Sequence, residues 1–354
     1  MPYTTINKST EHFDTKVYTG NGSSQTLDMD NLGLLWMKNR TETSNHNLFD
    51  SVRGGYYTSA PGPNLRSNGT TAGSGSDITS AYGITFGSSS STIGSDGGGY
   101  NYNQNSKSYV GWQWRANGAG SANTDGSISS TVSANTTSGF SIVSYTGTGA
   151  NATVGHGLGA VPKMIITKNL QQGNEGWQVY HETQGNTKKC ALNETGGFAT
   201  DATAWNSTTP TNNVFYIGTN WGGNGNGHPM IAYCFAEKQG YSKFGSYTGN
   251  GSSDGTFCYT GMKPAWVMVK KTNSSGDEWN IFDNKRDVDN VIEKRLVANV
   301  NAADSSGTYL DFLSGGFKWR TSNNLGNGSG NTYIYMAFAE APLVGTNNVP
   351  CTAR

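Results

Sequence analysis

The sequence predicts an all-β protein: three tandem β-sandwich units of a jelly-roll kind, joined by Gly/Ser/Asn/Thr-rich linkers. Three observations carry this expectation. The first is an internal repeat. Tyr18-Thr19-Gly20-Asn21-Gly22, then Leu34-Leu35-Trp36-Met37-Lys38, then Leu48-Phe49-Asp50 form one series. The series recurs as Tyr145-Thr146-Gly147-Thr148-Gly149, residues 162–168 and residues 177–181, and again as Tyr247-Thr248-Gly249-Asn250-Gly251, residues 264–270 and residues 279–283. Tyr145, Lys168 and Tyr180 each stand 102 residues before Tyr247, Lys270 and Phe282. The second observation is that each copy closes on an aromatic-rich alternating run, at 109–114, 230–235 and 333–338. Alternation of this kind is the mark of a strand with two unlike faces. The third is composition. The chain has 49 Gly in 354 residues, about twice the usual ~7%, yet 18 Tyr and 9 Trp. Disordered chains are poor in aromatics, so the glycines read as turns between aromatic strands.

In chain order, residues 1–15 form a polar leader without periodicity, equally compatible with a tether and with the ordered edge of a first strand. The first unit spans 16–115. Its Gly20-Asn21-Gly22 is turn chemistry, and 32–38 and 48–52 are neighbouring strands. Residues 54–105 are rich in Gly, Ser, Asn and Tyr, too long for a structureless loop, and Ile84-Thr85-Phe86 marks a strand within them. Residues 116–141 hold little besides Asn, Gly, Ser, Thr and Ala before Phe140, and are expected to be a flexible linker. The second and third units, 142–237 and 244–340, are joined by a short connection and are expected to pack together, leaving the first unit apart. Residues 341–354 form a tail. In 288–300 the spacing of Val288, Val291, Ile292 and Leu296 permits one short helix, taken as a loop elaboration.

Lys and Arg number 24 and so do Asp and Glu, so no net charge attracts nucleic acid or an anionic membrane. The four cysteines, Cys190, Cys234, Cys258 and Cys351, show neither metal-ligand spacing nor a regular framework, and are expected to be reduced. Without a secretory signal or an apolar run near ~18 residues, the expectation is a soluble protein made in the cytoplasm.

Candidate chemistry is sparse. Lys38, Lys168 and Lys270 are equivalent, as are Asp50, His181 and Asp283. An acid–base pair would need the same groups in each copy, so the expected role is structural: the lysine ends a strand in solvent and its partner caps the next. The acidic stretch at 283–290 has oxygen ligands, but two cations interrupt it and the spacing is not that of an EF-hand. Gly155-His156-Gly157-Leu158-Gly159 lacks the Lys-Ser/Thr of a phosphate loop and reads as a hairpin turn, and Gly73-Ser74-Gly75-Ser76-Asp77 does not frame a nucleophile. No catalytic, cofactor or metal residues are expected. What remains is turn surface combining aromatics with amides, at Trp205-Asn206 and at Asn220, Trp221, Asn224 and Asn226. Such surface suits stacking and hydrogen bonding to a sugar ring, and is equally compatible with Trp205 and Trp221 buried under their own loops.

Residues 13–22, 48–54 and 109–116, the stretch from Asn123 to Gly147, and 154–159 resemble a repeat-domain family of virion structural and tail-fibre proteins of marine tailed phages, especially those of cyanobacteria and pelagic bacteria. The resemblance runs from about residue 11. The first unit departs from the family's usual Pro-Asp-Trp strand start, having Leu32-Gly33-Leu34-Leu35-Trp36. The resemblance implies β-sandwich repeats, a place in the virion after assembly in the host cytoplasm, and no established enzymatic activity. The resulting expectation is a non-enzymatic tail-fibre or appendage adhesin that contacts a host-surface glycan. It would associate with other virion proteins and with itself as a trimer. The alternatives are a capsid decoration or head-fibre protein and, against the low acidic content, a glycan depolymerase.

Overall fold

The computed structural model describes residues 3–29, 32–54, 64–71, 83–87, 90–95, 101–345, 347 and 349. The fold is all-β and built of several antiparallel sheets. One strand order recurs in three of them. In the first sheet Phe13–Thr19, Ser108–Arg115, Gly33–Asn39 and Asn47–Asp50 are neighbours in that order. The second has Phe140–Thr146, Pro229–Phe235, Met164–Asn169 and Gln178–His181; the third has Ser242–Thr248, Thr332–Pro342, Met262–Lys271 and Asn280–Asp283. The sequence repeat is therefore a repeat of strand order.

Period-two patterning sorts the side chains of these strands onto opposite faces. On the last strand of each copy, Val110, Trp112 and Trp114, Ile231, Tyr233 and Phe235, and Ile334, Met336 and Phe338 enter one common cluster. Their alternates go elsewhere. Met230, Ala232 and Cys234 join Val154, Phe215 and Ile217 of the small Ala152–Gly155/Val214–Ile217 sheet. Tyr333, Tyr335 and Ala337 join Leu310, Phe317 and Trp319. Tyr109 joins Leu27, Ile84 and Ile93, which come from the three-stranded sheet of Gln25–Leu27, Ser91–Ile93 and Ile84–Thr85. Each main sheet thus turns one face to a shared centre and the other to its own covering layer.

Trp114 sits where the three sheets meet. Its ring lies edge-on to Trp266 at 5.3 Å and Phe338 at 5.6 Å in the third sheet, and to Phe235 at 6.3 Å in the second. T-shaped contacts of this kind add to the burial of large apolar area. The gap at the centre measures about 10 Å³, room for a water molecule at most.

Several expectations change. The first unit does not sit apart, because Leu34, Trp36, Trp112 and Trp114 lie in the common cluster. For the same reason the described sheets do not resolve into three separate jelly rolls. The 116–141 segment is not a free linker. Ser121–Asn123 and Ser130–Asn135 pair with each other and extend the second sheet beside Phe140–Thr146. Backbone hydrogen bonds need no apolar side chains, and Ile128 and Val132 suffice to seat the segment on the second outer cluster. The leader is packed, with Thr4, Ile6 and Ser9 buried and the Tyr3 hydroxyl donating to the Gly261 carbonyl at 2.8 Å. In place of a helix, Ile292–Val297 is a strand whose Ile292, Leu296 and Val297 are buried. Residues 55–63 and 72–82, Asp30, Asp96, Gly97, Gly98, Gly99 and Cys351 lie outside the described residues; the other three cysteines are buried and free.

A core common to three sheets predicts one cooperative unfolding transition in calorimetry, with the three sheets melting together. Trp114→Ala is expected to cost about 3–5 kcal/mol and to shift that single transition as a whole. Separate transitions, of which the substitution moves only one, would show that the sheets fold independently.

Candidate functional site

The equivalent lysines and acids meet across sheet boundaries rather than within a catalytic pair. Asp50 Oδ2 accepts from Arg53 Nε at 2.6 Å and from the Tyr233 hydroxyl of the second sheet at 2.8 Å. Asp283 Oδ2 accepts from Arg286 Nε at 2.6 Å and from Trp112 Nε1 of the first sheet at 3.0 Å. In the second sheet His181 takes this place. Its Nδ1 accepts from the Thr183 amide, so Nε2 carries the proton and points to the Tyr335 carbonyl of the third sheet at 3.4 Å. The chemistry of this exchange is legible. Trp112 and Tyr233 each carry a donor that needs an acceptor, while their counterpart Met336 carries none. No carboxylate is needed opposite a methionine, and Gln184 replaces the arginine three residues on.

A second set of bonds runs the other way around the molecule. Trp177 Nε1 donates to the Arg66 carbonyl, Trp279 Nε1 to the Ala191 carbonyl and His46 Nε2 to the Val297 carbonyl, each at 2.9 Å. Trp36 Nε1 donates to His46 Nδ1 at 2.8 Å, which fixes that tautomer. The second sheet clasps the first, the third clasps the second, and the first clasps the third. The lysines reinforce two of these seams. Lys168 Nζ donates to the carbonyls of Thr70 and Glu175 at 2.8 and 2.7 Å, and Lys270 Nζ to those of Thr195 and Asp277 at 2.9 and 2.6 Å. At the third seam Arg40 Nε and Arg286 Nη1 both reach Asp304, each at 2.8 Å. The expected solvent-exposed lysines are thus buried, all three with no exposed surface. Burial lowers Lys38 and Lys168 to about 8 and lowers Lys270 as well.

The loops expected to touch a glycan divide sharply. Asn224 is buried; its Oδ1 accepts from the Thr148 amide at 2.7 Å, and its Nδ2 donates to the Ala150 and Gly218 carbonyls. Asn103 and Asn327 do the same in the other copies, accepting from the Asn21 and Asn250 amides. Just before each, the carbonyls of Tyr102, Gly223 and Gly326 accept from the hydroxyls of Tyr18, Tyr145 and Tyr247, all at 2.6 Å. The repeated Tyr-Thr-Gly motif is therefore a loop anchor, and Asn224 belongs to it. Trp205 is also buried, edge-on to Tyr180 at 5.7 Å, because its loop folds back onto the outer face of the second sheet. Asn206 is half-buried, and the Thr208 hydroxyl donates to its carbonyl.

Asn220, Trp221 and Asn226 remain at the surface turn. Asn220 caps the single helical turn Trp221–Asn224 by accepting from the Gly222 amide at 3.1 Å, and its Nδ2 donates to Asp201 at 2.9 Å. A Cβ at Gly222 would lie 2.3 Å from Gln178 Nε2, so a larger residue there would push the Gln178 amide aside. Trp221 is 49% exposed. Its position is fixed all the same: Asn169 Nδ2 donates to its carbonyl at 3.0 Å, and its ring stands edge-on to His228 at 5.1 Å. Asn226 is exposed beside it.

The acidic loop at 283–290 does not gather its oxygens for a cation. Asp283 faces the interior, Asp287 Oδ2 accepts from the amides of Glu293 and Lys294, and Asn290 bonds the amide and carbonyl of Phe312. His156, in the glycine-rich turn, is occupied by the Leu158 amide and the Thr211 carbonyl.

Burial lowers both seam histidines from 6.5, His46 to about 3 with help from Lys38, and His181 to about 4. A base whose affinity is lowered by folding binds protons more readily in the unfolded chain. Its share of stability is therefore present above about pH 6.5 and lost as pH falls toward 4. Thermal denaturation is expected to show the melting temperature falling through that window. His181→Gln should flatten the fall, and parallel pH profiles for both proteins would contradict the assignment.

A family model described as a domain of unknown function (DUF7483) matches residues 8–342, in a single span that takes in all three sheets. No curated protein and no solved structure matches the chain. The chain belongs to the family of this domain of unknown function, DUF7483.

Proposed function

We propose that this chain is a non-enzymatic virion surface protein, a tail-fibre or appendage adhesin whose three sandwich units close into one rigid platform. Each unit is a main sheet with its covering layer, and the three pack by their inner faces. The carrying observation is where the reactive side chains lie. Lys38, Lys168, Lys270, Asp50, Asp283, His46 and His181 are all buried, and most bond across the seams. They are thereby withdrawn from solvent and from any substrate. Trp221, in contrast, is a large aromatic held half in solvent on a fixed turn, next to exposed Asn226. A rigid aromatic face flanked by amides can stack on a sugar ring at little entropic cost.

The ligand in this reading is a host-surface glycan, and the other partners are neighbouring virion proteins. A homotrimer would pack through the outer surfaces of the covering layers, since both faces of each main sheet are closed within the chain. Repetition around such an assembly would raise a weak sugar affinity by avidity.

Immunogold labelling of intact particles tests the placement, with label expected on the tail or its fibres. Label spread over the head would overturn the adhesin reading in favour of capsid decoration.

A further inference from the structure

The second and third copies differ at one margin. In the second, Ser130–Asn135 pairs with Phe140–Thr146 of the main sheet. The residues just before it reach the covering layer. The Ile128 amide donates to the Thr153 carbonyl at 3.0 Å, and Ser127 and Thr153 exchange amide-to-hydroxyl bonds at 2.8 and 2.9 Å. One segment thus closes the gap between main sheet and cover. Beneath it Val143 and Tyr145 are 0% and 4% exposed.

The third copy leaves this gap open. Its sheet begins at Ser242–Thr248 and ends at Phe257–Tyr259, which are its two edges. The Thr256 hydroxyl donates to the Thr248 carbonyl at 2.9 Å and holds the edges together at one end. Gly245 and Tyr247, the counterparts of Val143 and Tyr145, are half-buried. Ladder bonds at Tyr241 and Gly249 leave Ser242, Phe244 and Ser246 facing outward, because outward and inward groups alternate in an antiparallel pair. Bonds at Thr256 and Thr260 do the same for Phe257 and Tyr259. The preceding turn occupies two of these amides, Ser242 through the Lys238 carbonyl and Phe244 through Glu237 Oε2. Among the described residues neither the Ser246 nor the Phe257 amide has a partner, and both residues are exposed. Phe257 stands where the second copy has Thr153, since Cys258 and Val154 lie opposite Phe317 and Phe215.

We infer that this gap receives a strand from another protein: extended, uncharged, rich in Ser, Thr and Ala, with small apolar side chains turned inward. A segment of that description fills the same gap in the second copy. Here the chain cannot supply it, as only residues 236–241 join the second sheet to the third. The incoming backbone pairs with the open groups of Ser246 and Phe257, the mode of strand addition to a sheet edge. A cleft of about 330 Å³ lined by Ser242, Lys243, Tyr259 and Thr260 takes one end of it. Lys243 is already paired with Glu237 at 2.7 Å, so the cleft calls for no charge. The occupant is a free strand and not a second folded copy, because only a free strand can lie between two edges. The first copy carries Asp14 and Lys16 on the corresponding strand, charges that discourage such pairing. The inference stands independently of the glycan reading.

Hydrogen exchange on the whole protein tests it, with a synthetic peptide of residues 127–135 as the strand. At about ten times its dissociation constant the peptide should slow exchange of the Ser246 and Phe257 amides about tenfold. The same peptide carrying Val132→Pro cannot complete a ladder and should have no effect. In the protein, Ser246→Pro removes one outward N–H and should abolish the slowing at Phe257 at an unchanged melting temperature. If it lowers that temperature, the comparison of the two peptides carries the test. No slowing, or equal slowing by both peptides, would overturn the inference. So would slowing confined to residues 140–146, where the peptide merely displaces the chain's own strand. Protection present without peptide and rising with protein concentration would give the gap to a second copy, and would overturn the partner named here.

Discussion

The structure depends on a single constraint: three sheets must bury their inner faces against one another, because none has another apolar layer on that side. A sheet with apolar residues on both faces needs two partners. Here each has its small covering layer outside and the other two sheets inside. Trp114 shows the consequence, being in contact with aromatics of both other sheets at once. Polar groups caught at such a junction must find partners or carry a desolvation penalty. The aspartate–arginine pairs at Asp50 and Asp283, and the indole and imidazole bonds to carbonyls of the adjoining sheet, meet that need along the seams, while the indole N–H groups of Trp114 and Trp266 at the centre carry the penalty. They also fix which sheet lies beside which, since a wrong neighbour would leave a buried charge or N–H without a partner.

This arrangement bears on function by separation. The interior takes the titratable groups of the repeats, and what the second copy shows to solvent is the Trp221 turn and the cleft beside Gln178. The three copies share the strand order through which they touch one another, while the side chains at the seams vary, with His181 standing where the other two copies have Asp50 and Asp283. The amide at the Gln178 position meets a side-chain donor in two copies, whereas in the second copy it packs against the Gly222-Gly223 turn.

Much of the fold was legible in the sequence, for identifiable reasons. The alternating runs ending in Trp114, Phe235 and Phe338 announced strands with two faces, and those strands are present. The columns Asp50/His181/Asp283 and Lys38/Lys168/Lys270 were visible as well. Their meaning was not, because an acid column can be understood only together with the Trp112/Tyr233/Met336 column it bonds in the adjoining sheet. The strands at 121–123 and 130–135 were hidden by composition, since Ser, Thr, Ala and Asn serve equally in linkers and in sheet extensions held by backbone bonds. Trp205 and Trp221 have similar local surroundings in the sequence, and only the path of the chain separates the buried ring from the exposed one.

Buried polar bonds between sheets select which sheet lies beside which around the shared core. A double-mutant cycle on Asp50 and Tyr233, using Asp50→Asn, Tyr233→Phe and both together, tests this most directly. Chemical denaturation should give a coupling free energy of about 1–3 kcal/mol between two residues that belong to different sheets. Additivity within about 0.5 kcal/mol would mean that the hydroxyl and the carboxylate do not act on each other, and would contradict the account.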